Sequence, residues 1–164
     1  MEVSKIGNKG VKIRTKNASF LVNPEGKIDG DVVILTQKPQ VYSDYNGVIV
    51  IDGPGEYEVS GVSIKGEAID GKVLFDFLAD FQRLLILPTA SISKSEEAQD
   101  YTATVVFLDE NSKEDTISQI SSGVVIVVGD ADRIFKDKTS LKKIDKVNLK
   151  KIDEYKGFIV HLSK

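Results

Sequence analysis

The chain has no cysteine and a single histidine among its 164 residues. Without cysteine there is no disulfide framework, no thiol nucleophile and no thiolate metal ligand. With one histidine, His161, an imidazole-based metal centre cannot be assembled from this chain, because three or four donors must converge on one ion. A Ser–His–Asp arrangement would have to use that same residue, and no G-x-S-x-G elbow is present. Phosphate cradles are missing as well: "GNKGVK" is neither a P-loop nor a dinucleotide fingerprint. No apolar run approaches the roughly 18 residues of a spanning helix, and "MEVSKIGNKG" has no apolar core of a secretion signal. A formal net charge of −3 provides no global field for nucleic acid or an anionic membrane. These absences point to a cytoplasmic protein with no specific nucleic-acid partner and no membrane.

What remains is ordinary globular material, 41% hydrophobic and 29% charged, and long enough to bury a core as one domain over residues 1–164. Charge is uneven only near the end. Residues 138–156 hold seven lysines against Asp145, Asp153 and Glu154, a local net of +4. No arginine and one aromatic, Tyr155, accompany them, so a solvated lysine-rich surface is expected rather than a base-stacking one.

The first half reads as short strands separated by turn residues. "VKIRT" and "SFLVN" flank a turn at Lys16-Asn17. "DVVILT" and "GVIVID" are continuous apolar runs of the kind buried on both faces. "GPGEYEV" and "VSIKGEAI" follow, then the turn Asp70-Gly71, "KVLFDFLA" and "RLLILPT". In the second half, "SKSEEAQDY" offers a helix start and "TATVVFLD" a strand. "KEDTISQISS" spaces Ile117 and Ile120 as a helix would, with Gly123 beyond it, and "GVVIVVG" is another buried strand. Residues 131–146 read as irregular with a helical turn, and "KVNLKKI" and "GFIVHL" close the chain. About a dozen strands with two or three helices predict sheets with helices on their outer faces.

Within "DGPGEYEVSGVSIK", Glu56 and Glu58 lie two apart on a strand and so share one face, opposite Tyr57 and Val59. Two carboxylates on one face can serve acid–base chemistry, but they equally make a solvated face. Val62 and Ile64 have the other parity, so the register must flip near Ser60-Gly61. The acidic pairs Asp29-x-Asp31 and Asp130-x-Asp132 lack the loop signature of a calcium site.

The order of these motifs resembles the metallo-β-lactamase fold superfamily, and in particular its short bacterial branch akin to ascorbate-6-phosphate lactonase. The sharpest carrier is "VIDGPGEYEVSGVSIKG", similar to a G-P-G-E-Y-E-V-x-G-V-x-I-x-G segment of that branch. "KIGN" and "LVNP" stand where the branch has an L-G-H strand and a D-P step, with Asn8 for the histidine and Asn23 for the aspartate. "DVVILTQKPQVY" keeps the strand and Thr36 of a T-H-x-H-x-D-H loop, but Gln37, Pro39, Val41 and Tyr42 occupy the ligand positions. No histidine stands near Glu67–Gly71. Pro88 and Thr89 fall where a "GD" step would supply a bridging aspartate, and Gly129-Asp130 where a final histidine ligand would be. The closing "KVNLKKIDEYKGFIVHL" is similar to the family's last strand pair.

The resemblance implies a four-layer αββα sandwich of two mixed sheets. It also implies a metal-dependent hydrolase, yet every metal position that maps onto this chain is replaced. Loss of the ligands removes the water-activating ion. The expectation is therefore a catalytically inactive member that binds no cofactor and acts by binding or assembly, as a homo-oligomer or with a paralogous protein. The alternative is a metal-independent hydrolase or small-ligand binder reusing the old cleft through Gln37, Tyr42, Asp44, Glu56 and Asp130.

Overall fold

The computed structural model describes residues 1–39, 45, 47–89 and 100–163. The first strands form hairpins: β1 (Glu2–Ile6), β2 (Gly10–Arg14) and β3 (Ser19–Val22) pair antiparallel in succession. β4 (Val32–Ile34) and β5 (Ile49–Ile51) then join in parallel. With β13 (Lys146–Asn148) added beside β1, they make a six-stranded sheet of order β13-β1-β2-β3-β4-β5.

The larger sheet begins as a meander of β6 (Gly55–Val59), β7 (Val62–Ile69), β8 (Lys72–Ala79) and β9 (Gln82–Pro88). It continues in parallel through β10 (Ala103–Phe107), β11 (Val125–Val128), β14 (Ile159–Leu162) and β12 (Leu141–Ile144). Both sheets are therefore mixed, as the front hairpins and the later strand–helix–strand units predict. No helix among the described residues is long and apolar enough to cross a membrane.

Strand alternation builds the core. Phe20, Val22, Val32 and Ile34 turn inward from the small sheet, and Val73, Phe75, Phe77, Leu84 and Ile86 turn inward from the large one. The Phe20 and Phe77 rings meet edge to face, with centroids 5.6 Å apart and an interplanar angle of 85°. That is a favoured aromatic geometry. On the outer side of the large sheet, Leu87, Val106 and Val127 are covered by Ile117 of α1 (Glu114–Ser118) and by Ala131 and Ile134 of α2 (Ala131–Ile134). Across the small sheet, Leu21, Val33 and Leu35 pack with Ile6, Ile28, Tyr45 and Val48.

The meander is joined by three two-residue turns ten residues apart. Ser60-Gly61, Asp70-Gly71 and Asp80-Phe81 all hold both central residues at positive φ, with Phe81 at φ 61°. This is the type I′ signature, which matches the twist of a hairpin and favours glycine at the second place. The first two turns comply. The third puts a phenylalanine there, fully solvent-exposed. An L-residue in the left-handed region costs about 1–2 kcal/mol.

Other local expectations divide. The parity flip at Ser60-Gly61 is a tight turn, with Glu56 and Glu58 exposed and Tyr57 and Val59 packed on the core. The Tyr57 hydroxyl donates to the Gly53 carbonyl at 2.9 Å, closing the Gly-Pro-Gly corner. "GVIVID", read as buried on both faces, is instead the edge strand β5, with Ile49 53% and Val50 37% exposed. Apolar composition alone does not separate a central strand from an edge. "KVNLKKI" forms only the short strand β13 before turning into a 3-10 helix at Leu149–Tyr155. Within residues 131–146, read as irregular with a helical turn, α2 is that turn, and the strand β12 is the element not expected. The helix start in "SKSEEAQDY" falls mostly within residues 90–99, outside the described residues.

Candidate functional site

The carboxyl ends of β3, β4, β9, β10 and β11 converge at one end of the sandwich, the place where sheets with parallel strands present their ligand sites. A cleft opens there, lined by Asn23, Thr36, Gln37, Pro88, Thr89 and Val128, with Lys9, Glu25, Lys72 and Asp109 at its rim. Several positions singled out from the motif order, scattered along the sequence, thus come together in space. The strands deliver them: each lies at the end of a buried strand or within three residues past it.

Inside the cleft the polar groups satisfy one another. Asn23 sits at φ 47°, a region asparagine tolerates better than most residues. Its carboxamide oxygen accepts from the Thr36 backbone N–H at 2.9 Å, and its Nδ2 donates to Thr36 Oγ1 at 2.9 Å. Thr36 is buried, and its carbonyl accepts from the Val73 N–H at 2.7 Å, which ties the small sheet's loop to β8 across the cleft. On the far wall the Thr89 hydroxyl donates to the Phe107 carbonyl and accepts from the Ser112 hydroxyl. The Asp109 backbone N–H donates to Ser112 Oγ at 2.8 Å, and the Asp109 carbonyl accepts from Arg133 Nη2 at 2.6 Å. Lys72 Nζ lies 3.5 Å from Asp109 Oδ2 and neutralises it, with both side chains mostly screened from solvent. At the outer rim Glu25 Oε2 accepts from the Asn8 N–H at 3.1 Å.

The five residues carried from the sequence as cleft candidates separate. Gln37 is at the cleft and exposed. Asp130 caps α2 at the end of β11, its Oδ1 accepting from the Arg133 N–H at 3.2 Å. Glu56 is not there: the parity of β6 puts it on the outer face of the large sheet, in a groove with Ser63, Lys65 and Arg83. Tyr42 and Asp44 lie outside the described residues. Lys72, Asp109 and Ser112 were missed by sequence reasoning, because a lysine after a turn and a "DENS" loop after a strand look like ordinary surface.

His161 stands two strands from the far wall, on β14. Its Nε2 donates to the Gly129 carbonyl at 3.0 Å, while Nδ1 is buried without a hydrogen-bond partner. Burial pushes its pKa below the ordinary histidine value, against the pull of the Gly129 carbonyl. Neutral imidazole with the proton on Nε2 is the form that fits.

Among the described residues the cleft offers no metal site. Its inner wall offers carboxamides, hydroxyls, a pyrrolidine and an alkyl group, and its rim adds the ammonium groups of Lys9 and Lys72 with two carboxylates, Asp109 held by Lys72 and Glu25 bonded to the Asn8 N–H. A divalent ion needs imidazole, thiolate or carboxylate donors in convergent geometry. Among the described residues no three such side chains gather.

No family model matches the chain, and no curated protein matches it by sequence. Solved structures do match by shape. A Thermotoga maritima protein assigned to the Zn-dependent hydrolases of the metallo-β-lactamase superfamily superposes with a TM-score of 0.71 at 18% identity, covering 98% of this chain and 97% of its own. The metallo-β-lactamase fold protein YhfI from Bacillus subtilis gives 0.58 at 10% identity, covering 99% and 96%. Zn-bound PqqB from Methylobacterium extorquens gives 0.54 at 11% identity, covering 78% and 88%. Such identities speak to architecture alone. The two mixed sheets, their order and these superpositions together establish that the chain has the metallo-β-lactamase fold.

Proposed function

We propose that this protein is a catalytically inactive form of the fold, acting by binding or assembly rather than by hydrolysis. The observation that carries the reading is the reciprocal Asn23–Thr36 clamp: two side chains at the bottom of the cleft spend their hydrogen-bonding capacity on each other and on the backbone. A hydrolytic centre of this fold requires an activated water held by an ion. Here the inner wall holds neutral amide and hydroxyl groups, and the rim carboxylate Asp109 is already met by Lys72. The replacement of the histidine and aspartate motif positions by Asn8, Asn23, Gln37 and Thr89 supports the same reading.

Thermal denaturation in the presence of zinc, manganese or iron(II) tests this. The expected outcome is an unchanged melting temperature at one equivalent of ion. A saturable rise at one ion per chain, with hydrolysis of a lactone or phosphodiester appearing alongside, would overturn the proposal.

One observation favours a second reading, a metal-independent small-ligand site. Lys9 is exposed at the cleft and makes no ion pair among the described residues. A small anion would suit it. Screening sugar phosphates and nucleotides by thermal shift separates the two: flat curves support the first reading, and a saturable shift lost in Lys9→Ala supports the second.

A further inference from the structure

The end of the large sheet opposite the cleft carries a surface that matches itself. On the outer face of the meander, Glu58, Ser63, Leu78 and Arg83 lie side by side on β6, β7, β8 and β9. In the next row come Glu56, Lys65 and Asp76. Leu78 is 48% exposed and Phe81, on the turn just beyond, is fully exposed. Glu58 and Lys65 make no ion pair among the described residues. Arg83 gives Nη2 to Asp76 and to the Tyr101 hydroxyl, leaving Nε and Nη1 without hydrogen bonds among the described residues.

We infer that this corner of the sheet face is the contact surface for a second copy of the chain, related by a two-fold axis running along the strands between β7 and β8. The register decides the partnering. Such an axis exchanges β7 with β8 and β6 with β9, so each Glu58 faces the other copy's Arg83 and each Ser63 faces the other copy's Leu78. Lys65 falls opposite Asp76, which carries one ion pair already. The same axis exchanges the 80–81 turn with the 60–61 turn. Each Phe81 therefore lies over the other copy's Gly61, where an added Cβ would find only Asn17 Nδ2, at 3.8 Å. A shallow depression lined by Glu58, Gly61, Ser63, Leu78 and Ala79 reaches from there to the chain's own Phe81 turn, and its Gly61 side can receive a ring. The Glu58–Arg83 charge pair and the Phe81–Gly61 fit are thus self-complementary, as a closed two-fold interface requires.

The competing arrangement, β6 pairing edge to edge with its own copy, sets Glu56 against Glu58 across the junction and is repulsive. Phe81 itself argues for contact. Its turn is braced by the amino nitrogen of Met1, which donates to Gln82 Oε1 at 2.6 Å. A fixed, exposed aromatic is the kind of anchor that dominates interfaces.

The surface is small. Four strands about 4.8 Å apart, over five residues of about 3.4 Å, cover about 300 Å² of flat sheet. Stable interfaces bury about 800 Å² per partner, so the dimer is expected to be weak, with a dissociation constant of order 100 μM. This inference rests on the assembly reading above but fails separately from it, since metal binding and hydrolysis do not enter its test.

Sedimentation velocity of the full chain from about 5 to 500 μM is that test. The wild type is expected to shift from monomer to dimer across the range. Phe81→Gly should weaken dimerisation at least tenfold without lowering the melting temperature, so misfolding cannot explain the loss. Glu58→Arg should weaken it similarly, and Glu58→Arg combined with Arg83→Glu should restore it to within about threefold. A monomer at 500 μM, or a dimer indifferent to Phe81→Gly and Glu58→Arg, would overturn the inference.

Discussion

The two ends of the large sheet handle their polar groups in opposite ways. At the cleft, Asn23, Thr36, Thr89, Ser112, Lys72 and Asp109 are bonded to one another or to nearby backbone. At the far corner, Glu58 and Lys65 stand without an ion pair among the described residues, and Phe81 is held in water at a conformation that disfavours it. At the cleft, most polar groups serve the chain's own stability, with Lys9 and Gln37 the exceptions. Where the fold needs nothing, it carries features that cost stability. The contrast teaches where to look for function, because sites that bind or react tend to retain strain and unsatisfied groups while structural sites do not.

Substitutions can break this comparison. The largest effect should come from the core that both regions share. Phe77→Ala removes the ring packed against Phe20 and is expected to cost about 3–5 kcal/mol by urea denaturation. If the loss were under about 1 kcal/mol, the sandwich would not rest on this contact.

Next comes the cleft itself. Asn23→Ala leaves the buried Thr36 groups unsatisfied and puts alanine at positive φ, and should cost about 2–3 kcal/mol. A double-mutant cycle with Thr36→Val should show a coupling of about 1 kcal/mol or more. A ligand-binding asparagine would behave otherwise: alanine there would lose only the backbone contribution of about 1 kcal/mol and show no coupling to Thr36.

The far corner should answer with the opposite sign. Phe81→Gly is expected to raise stability by about 1 kcal/mol, because glycine accepts the left-handed turn. Glu58→Ala should stay within about 0.5 kcal/mol at concentrations where the chain is monomeric.

The pH dependence has a direction that can be worked out. His161 has a folded-state pKa below its unfolded value of about 6.5, so the unfolded chain binds the proton first as pH falls. Stability is fully present above that value and is lost as pH drops through it toward the folded pKa. Lys143 and Lys5 oppose protonation and Asp132 favours it, with burial the largest influence. Urea denaturation from pH 7.5 to 5 should show this decline, and His161→Gln should flatten it. Asp31, lowered by the Ser19 N–H and hydroxyl, and Asp132, lowered by Lys143 and Lys138, add losses only at more acidic pH.

Much of the fold was legible because its signals are local. Ser60-Gly61 and Asp70-Gly71 announce their turns, and β4 and β11 are continuous apolar strands buried as expected. Asp80-Phe81 did not announce itself, since phenylalanine is no turn residue and only the neighbouring hairpins force the chain to reverse there. "GVIVID" misled because burial of a strand depends on what lies beside it, which composition does not record, and "KVNLKKI" because Asn148 caps the Lys150 N–H and turns the chain into a 3-10 helix. For the cleft, the structure brings Asn23, Thr36, Gln37, Pro88 and Thr89 to one place, since each follows or ends a recognisable strand. Motif order placed Glu56 wrongly, because a motif shared with a family marks a segment and not the direction of its side chains. The two-fold match of Glu58 with Arg83 was invisible in the sequence. It exists only once the register of four strands is known.

The measurement that bears most directly on the account is the metal content of the protein, purified without chelator, dialysed against excess zinc and then against buffer, and read by elemental analysis. A cleft whose amide and hydroxyl groups bond to one another, and whose rim carboxylate Asp109 is met by Lys72, predicts less than about 0.1 ion per chain. One tightly held ion per chain would contradict it.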